Sequence, residues 1–172
     1  MRLVTRTTRA ARAEDLETRA NSDHHADLRL WLRMMTVHRL VGNEIRVRLR
    51  REFAMSLARF DLMAQLERNP RGIRMIDLSR RLMVTTGNVT QLTDQLEREG
   101  LVQRTADMQH RRAFLICFTP KGRRLFATIA RAHEAWIVEL FAGLTRAEKQ
   151  TLHLLLGNEK AALAARIAKD GP

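Results

Sequence analysis

Cysteine is nearly absent from this chain of 172 residues, and its single copy, Cys117, cannot form an internal disulfide. No apolar run approaches the roughly 20 residues that a helix needs to cross a bilayer. The first residues also lack the continuous apolar segment of a signal peptide. We therefore expect a cytoplasmic protein, in a reducing compartment and not associated with a membrane.

Catalytic motifs are missing as well. The sequence contains no phosphate-binding loop, no nucleophile elbow and no dinucleotide-binding fingerprint. Its acidic residues are scattered among arginines at the spacing of helix surfaces, which solvated salt pairs explain. Asp23, His24 and His25 suggest a metal site, but no further cluster of metal-ligating residues accompanies them. These absences predict a protein that is not an enzyme and uses neither a cofactor nor a metal.

Acidic residues are scarce, with 19 Asp and Glu against 31 Lys and Arg, so the net charge is +12. Residues 71–124 hold 11 basic and 5 acidic residues, a net charge of +6, whereas residues 125–172 hold 6 and 5, a net charge of +1. A basic surface neutralises phosphates and gives DNA affinity that does not depend on base sequence. A generally arginine-rich composition and an acidic lipid partner are the alternatives. Against lipid, no helix pairs a basic face with a bulky aromatic face.

Two short amphipathic segments lie between Asp77 and Arg104. Their apolar residues recur at helical spacing: Ile76, Leu78 and Leu82 in the first segment, and Val89, Leu92 and Leu96 in the second. Residues 84–87 between them include threonines that can cap a helix and a glycine that allows a close turn. Gly100 stands where the C-terminus of a helix favours a left-handed residue. This arrangement predicts a helix-turn-helix.

The second segment has a polar outer face, formed by Thr86, Asn88, Gln91 and Gln95. Short polar side chains near a helix N-terminus suit the edges of bases in a major groove. An ordinary solvated helix face is the alternative for each of these residues.

A β-hairpin is predicted after the second segment. Residues 101–104 lead into a polar stretch at 105–112, and residues 113–118 form an apolar, β-favouring run of strand length. Arg111 and Arg112 then lie near the tip of the hairpin. A helix-turn-helix followed by such a hairpin is a winged helix.

From about Leu28 to Leu163 the sequence resembles the MarR family of winged-helix transcriptional regulators. The motifs that carry the resemblance are LSRRLMVTTGNVTQLTDQLEREGLVQR, the two arginines of the wing, and FTPKG. The sequence departs from the family at His110, which occupies the place of an Asp that commonly pairs with an Arg and stiffens the hairpin. Either the wing is more mobile here or Asp107 replaces the missing partner.

The resemblance implies a mainly α fold with a small β-hairpin. We expect a basic arm at residues 1–22 and a single domain at 23–172, with the winged helix at about 54–120. The flanking helices, at about 23–52 and 121–169, have more apolar surface than one winged helix can cover. A homodimer would bury this surface and would present two recognition helices to an inverted-repeat operator.

The resemblance also implies the functional residues. The residues expected to bind DNA are Thr85, Thr86, Asn88, Thr90 and Gln91 at the bases, and Arg80, Arg81, Arg111 and Arg112 at phosphates or the minor groove. The candidates for an effector pocket are Trp31, Met34, Met35, His38, Arg39, Phe60 and Met63. Simple core packing is the alternative for the pocket residues, above all for the methionines.

The segment from Ala58 to Thr90 looks most like regulators of aromatic-acid catabolism, some of which sense hydroxycinnamoyl-CoA thioesters. This resemblance implies a repressor relieved by a small-molecule effector, an aromatic carboxylate or an acyl-CoA. Arginines near the pocket segments could pair with such an anion, namely Arg33, Arg39, Arg46 and Arg59. A nonspecific chromatin-like basic protein and a ligand-processing enzyme are the alternative functions. A redox role for Cys117 is disfavoured, because the sensing cysteines of the family usually lie in the first helix.

Overall fold

A computed structural model describes residues 25–107 and 114–170 of the chain. The predicted arm at 1–22, together with His110, Arg111 and Arg112 of the predicted wing tip, lies outside the described residues. The elements in chain order are α1 (Ala26–Phe53), α2 (Leu57–Glu67), β1 (Ile73–Arg74), α3 (Met75–Leu82), α4 (Thr86–Arg98), β2 (Val102–Ala106), β3 (Phe114–Phe118), α5 (Pro120–Leu140) and α6 (Arg146–Asp170). The predicted fold class, a mainly helical winged helix-turn-helix with a small β component, is confirmed.

Helices α2, α4 and α6 begin at capping residues that the sequence makes recognisable. Ser56 caps α2 and Thr85 caps α4, each accepting a hydrogen bond from the amide three residues later. Before α6, the Thr145 hydroxyl accepts from the Glu148 amide at 3.3 Å, and the Glu148 carboxylate accepts from the Thr145 amide at 2.7 Å. These bonds satisfy amides that the first turn of a helix leaves unpaired.

The three strands form an antiparallel sheet in the order β1-β3-β2. Val102 lies opposite Phe118 and Arg104 opposite Ile116 in the hairpin, while Ile73 pairs with Ile116 from the other edge. Side chains alternate along β3, so that Ile116 and Phe118 face the core. The most deeply buried apolar residues of the winged helix are Leu62, Met63, Leu66, Leu78, Val89, Leu96 and Ile116.

Two features of this region differ from the sequence analysis. The sequence did not predict strand β1, because a strand of two residues carries no periodicity. Gly72 has a φ of +94°, and a Cβ atom there would lie 2.5 Å from Sγ of Cys117, so glycine lets β1 approach β3. The prediction that Ile76 belongs to the apolar face of α3 is wrong, since half of its surface (50%) is exposed.

Helix α1 is held against α5 by a charged contact. The Arg48 guanidinium donates to both carboxylate oxygens of Glu139, at 2.6 and 2.9 Å, and to Glu44 at 2.6 Å. The hydrogen bonds from Arg48 lower the pKa of Glu139. Trp136 of α5 packs near Phe53 at the end of α1, with ring centroids 6.1 Å apart. These contacts fix the C-terminal half of α1 against α5.

The other half of α1 and nearly all of α6 are exposed in the single chain. The exposed apolar residues are Leu28, Leu30, Trp31, Met34, Met35, Val37 and Leu40 on α1, and Leu152, Leu154, Leu155, Leu156, Leu163 and Ile167 on α6. Together these residues form an apolar surface that is larger than the scattered apolar residues normally exposed on a protein. None of the described helices is both long enough and apolar enough to cross a membrane.

Candidate nucleic-acid interface

The turn between α3 and α4 is tight and internally bonded. Helix α3 ends at Leu82, and the next residue, Met83, has a φ of +54° and a side chain that is 93% exposed. The Ser79 hydroxyl donates to the Val84 carbonyl at 2.7 Å, and the Thr85 hydroxyl accepts from the Asn88 amide at 3.3 Å. The predicted helix-turn-helix is therefore present, with α4 as its second helix.

All five residues predicted to contact bases lie together on the exposed N-terminal part of α4. Thr85, Thr86, Asn88, Thr90 and Gln91 are each exposed. The Thr90 hydroxyl donates to the Thr86 carbonyl at 3.0 Å. The oxygen lone pairs and the methyl group of Thr90 therefore remain available for contacts outside the helix. Exposed short polar side chains at the start of a helix have the hydrogen-bonding chemistry that suits base edges in a major groove.

The inner face of α4 contains a polar residue that the sequence analysis missed. Thr93 is fully buried between Val89 and Leu96, and its hydroxyl donates to the Val89 carbonyl at 2.8 Å. That bond satisfies the hydroxyl inside the core, so Thr93 packs as an apolar residue would. It follows Val89 by four residues on the same helix face, a spacing that could have identified it.

Ion pairs hold α4 from two sides. Arg59 of α2 pairs with Glu99 at the end of α4, and Arg104 of β2 pairs with both Asp94 and Glu97. These contacts tie α4 to α2 and to β2. The partners are seven or more residues apart in the sequence, so helix periodicity did not indicate them.

The arginines predicted to bind phosphate divide into three sets. Arg80 is exposed and lies 3.9 Å from the Asp77 carboxylate. Arg81 is exposed too, but its Nη1 donates to Oδ1 of Asn69 at 3.3 Å. Arg111 and Arg112 lie outside the described residues.

A cavity of about 820 Å³ lies between α1, α2, α3 and α5. The lining residues are Val37, His38, Val41, Gly42, Ile45, Leu57, Phe60, Asp61, Ala64, Gln65, Glu67, Arg68, Arg81, Leu82, Phe126, Ala130, His133 and Phe141. It is largely apolar, with charged groups from α2 and α3. Because Arg81 and Leu82 reach it, the cavity adjoins the helix-turn-helix directly.

Two of the seven predicted pocket residues, His38 and Phe60, line this cavity. Trp31, Met34, Met35 and Arg39 are exposed on α1 and do not line it, because the wall formed by α1 spans Val37 to Ile45. Met63 is fully buried in the core, whereas the cavity face of α2 carries residues 61, 64, 65 and 68. The arginines suggested as anion partners, Arg33, Arg39, Arg46 and Arg59, do not line the cavity either.

Asp61 and His133 face the same cavity from α2 and α5. Burial raises the pKa of Asp61, with the opposing charge of His133 lowering it in part. Burial lowers the pKa of His133, with Asp61 opposing the shift. The His133 ring stacks near Phe60, with ring centroids 4.8 Å apart. The pair offers a hydrogen-bond donor and acceptor within apolar walls, and neither partner was predicted as a pocket residue.

Comparisons with known proteins agree on one family. A model of the MarR family matches residues 55–114. The uncharacterized HTH-type transcriptional regulator YkoM of Bacillus subtilis (strain 168) is 34% identical over 89 residues, which are 52% of this chain and 56% of that protein. The chain thus matches about half the length of the curated relatives.

Solved structures extend the similarity to most of the chain. A MarR family transcriptional regulator from Silicibacter pomeroyi is 33% identical with a TM-score of 0.69, and the match covers 83% of this chain and 99% of that one. FabT of Streptococcus pneumoniae, solved in complex with DNA, is 25% identical with a TM-score of 0.68, covering 81% of this chain and 98% of that one.

Proposed function

This chain belongs to the MarR family, and we propose that it is a sequence-specific, DNA-binding transcriptional regulator that acts as a ligand-responsive homodimeric repressor. The observation that carries the proposal is the exposed polar face at the start of α4, held in place by the pairs Arg59–Glu99 and Arg104–Glu97. A face that is fixed before binding loses little conformational entropy on DNA.

On DNA, the start of α4 enters the major groove. The residues that read bases are Thr85, Thr86, Asn88, Thr90 and Gln91. Arg80 binds phosphate, as do Arg111 and Arg112 of the wing. Phosphate contacts fix the position of the protein, and contacts to base edges provide the specificity.

The homodimer forms through α1 and α6. Support comes from the exposed apolar residues of these helices, which the winged helix of the same chain leaves uncovered. A second copy related by a two-fold axis covers this surface and places two α4 helices on an inverted repeat.

The effector binds in the cavity between α1, α2, α3 and α5. The cavity has room for an aromatic carboxylate, and an acyl-CoA could place its acyl part there. For the effector to release DNA, it must bind more tightly to a conformation whose α4 helices no longer match the half-site spacing.

Selection of bound duplexes from a random pool tests the function. We expect an inverted repeat with half-sites about one helical turn apart, roughly 34–36 Å, bound by a dimer. Affinity for this site should exceed that for random duplex by about a thousandfold or more at physiological salt. Light scattering gives the mass of the free protein. A monomer that binds all duplexes equally would contradict the proposal and favour a nonspecific basic protein.

A further inference from the structure

Met83 is the most exposed large apolar residue in the described part of the chain. Its side chain is 93% exposed, and the next in order is that of Ile167, at 67%. Such exposure leaves the Met83 side chain with almost no apolar surface buried, so it adds little to the stability of the free fold. The proposed homodimer forms through α1 and α6, whereas Met83 lies between α3 and α4, so dimerisation does not account for this exposure.

The backbone at Met83 is strained in a way that glycine would avoid. Within the described residues, positive φ angles occur at Ala54, Gly72, Met83 and Gly100, so only Met83 combines such an angle with a long side chain. The left-handed conformation is unfavourable for any residue with a Cβ atom. Strain at a side chain that stabilises nothing points to a function for that side chain.

Hydrogen bonds on both sides of Met83 hold the turn in place. The Met83 amide donates to the Arg80 carbonyl at 3.3 Å, and the Val84 amide donates to the Ser79 carbonyl at 3.2 Å. The Val84 carbonyl in turn accepts from the Ser79 hydroxyl at 2.7 Å. The Met83 side chain therefore projects from a fixed turn, and a partner that binds it orders little additional backbone.

The exposed residues on either side of Met83 belong to the proposed DNA surface. Arg80, in the last turn of α3, precedes it by three residues, and Thr85 and Thr86 follow it at the start of α4. All three are exposed. Residues 71–124 hold 11 basic against 5 acidic residues, so this part of the chain attracts a duplex. In the proposed function, Met83 thus lies between a phosphate contact and the base contacts.

DNA presents apolar groups at such a place. The 5-methyl group of thymine faces the major groove, and deoxyribose carbons line the edge of that groove. Methionine suits either group, because its unbranched thioether is flexible and polarizable.

We propose that Met83 makes an apolar contact with DNA at the edge of the major groove, against a thymine methyl group or deoxyribose carbons. The inference rests on the proposed function and adds to it a contact that is neither a hydrogen bond nor an ion pair. Because Met83 is uncharged, its contact raises affinity without releasing counterions from the duplex.

Fluorescence anisotropy of the full chain on the selected operator, over a salt series, tests the contact. Met83→Ala removes the contact and keeps a Cβ atom at residue 83. It should weaken operator binding by about fivefold or more and leave the log–log salt slope unchanged. Met83→Leu restores an apolar side chain and should stay within about twofold of the unaltered protein.

A lysine at residue 83 tests whether this position is close to the duplex. Met83→Lys should steepen the salt slope by roughly 0.9 for each subunit bound, because the new cation neutralises a phosphate. Ala127→Lys is the matched control, since it adds the same charge at an exposed position on α5 and should leave the slope unchanged.

Operators in which single thymines are replaced by deoxyuracil identify the partner group, because uracil lacks only the methyl group. If the partner is a methyl group, one such change in each half-site should weaken the unaltered protein by about threefold and leave Met83→Ala unaffected. If the partner is deoxyribose, every deoxyuracil operator binds like its parent, and Met83→Ala weakens operator and random duplex alike.

Four results would overturn the inference: unchanged operator affinity in Met83→Ala, a loss accompanied by a changed salt slope, an equal loss in Met83→Leu, or the same slope for Met83→Lys and Ala127→Lys. A changed slope in Met83→Ala would mean that the substitution acts through the neighbouring arginines. An unaltered protein without operator preference contradicts the proposed function alone. Met83→Ala and Met83→Lys then decide the contact on random duplex.

Discussion

A methyl group on Gly122 would lie 1.8 Å from the carbonyl oxygen of Leu101. Gly122 is in the first turn of α5, and Leu101 joins α4 to β2. Thr119 fixes this contact, since its hydroxyl accepts from the Gly122 amide at 3.0 Å and donates to the Gly100 carbonyl at 2.7 Å. The start of α5 is thereby pressed against the point where the recognition helix passes into the wing.

Gly122→Ala should therefore destabilise the fold. The added methyl group meets backbone rather than a movable side chain, so α5 must shift away from Leu101. Overpacking of this kind costs at least about 2 kcal/mol. Gly42→Ala is the control, because a Cβ atom at Gly42 meets nothing within 4 Å. It should stabilise α1 by roughly 0.5–1 kcal/mol. Denaturant unfolding measures both, and a Gly122→Ala protein as stable as the unaltered one would refute the close packing.

Met83 should be replaceable by glycine with a gain in stability. The φ of +54° at Met83 is left-handed, which costs a residue with a Cβ atom roughly 1–2 kcal/mol. Glycine avoids this strain, but its larger conformational entropy in the unfolded state offsets part of the gain in stability. We expect Met83→Gly to raise the free energy of unfolding by about 1 kcal/mol. Met83→Ala keeps the strain and should change it little, since the side chain is 93% exposed. Thermal unfolding compares the two; equal effects would mean that the backbone at residue 83 is unstrained.

The parts of the fold that the sequence predicted depend on local signals. Thr85 identifies the start of α4 because the capping hydrogen bond joins residues three apart. The polar face of α4 could be predicted from the sequence for the same reason, because all of its residues lie on one helix. The β-favouring run at residues 113–118 indicated the hairpin, and the resemblance to a family added the overall fold class.

The features that the sequence did not reveal depend on tertiary contacts. The cavity brings Asp61, Arg81 and His133 together from three helices, and no spacing in the sequence connects them. Trp31 was a pocket candidate on α1, but the sequence does not tell which turn of a long helix faces the cavity. The pairing of Arg59 with Glu99 spans 40 residues, so Arg59 looked available for a ligand.

His133 should make stability depend on pH. Burial lowers its pKa below the ordinary value of 6.5, so the folded state binds the proton less well than the unfolded state does. The contribution of neutral His133 to the free energy of unfolding is complete above about pH 6.5, the ordinary pKa, and is lost as the pH falls through the pKa of His133 in the folded state. His133→Gln should remove this part of the pH dependence between about pH 7.5 and 5. His25→Gln, at an exposed position, is the control. Parallel pH profiles for the unaltered protein and His133→Gln would show that His133 titrates alike in both states.

Gln91 and Arg80 should have separable effects on DNA binding. Gln91 is exposed near the start of α4 and Arg80 is exposed on α3. In the proposed function, the Gln91 amide contacts a base edge and Arg80 contacts a backbone phosphate. Gln91→Ala should cost about 1–3 kcal/mol at one operator position and relax the preference there. Arg80→Ala should weaken operator and random duplex alike and reduce the log–log salt slope by about 1. Fluorescence anisotropy over a salt series, with single-base operator variants, measures both. If Gln91→Ala weakens all duplexes equally, or Arg80→Ala leaves the salt slope unchanged, the assignment of α4 to bases and α3 to phosphate is wrong.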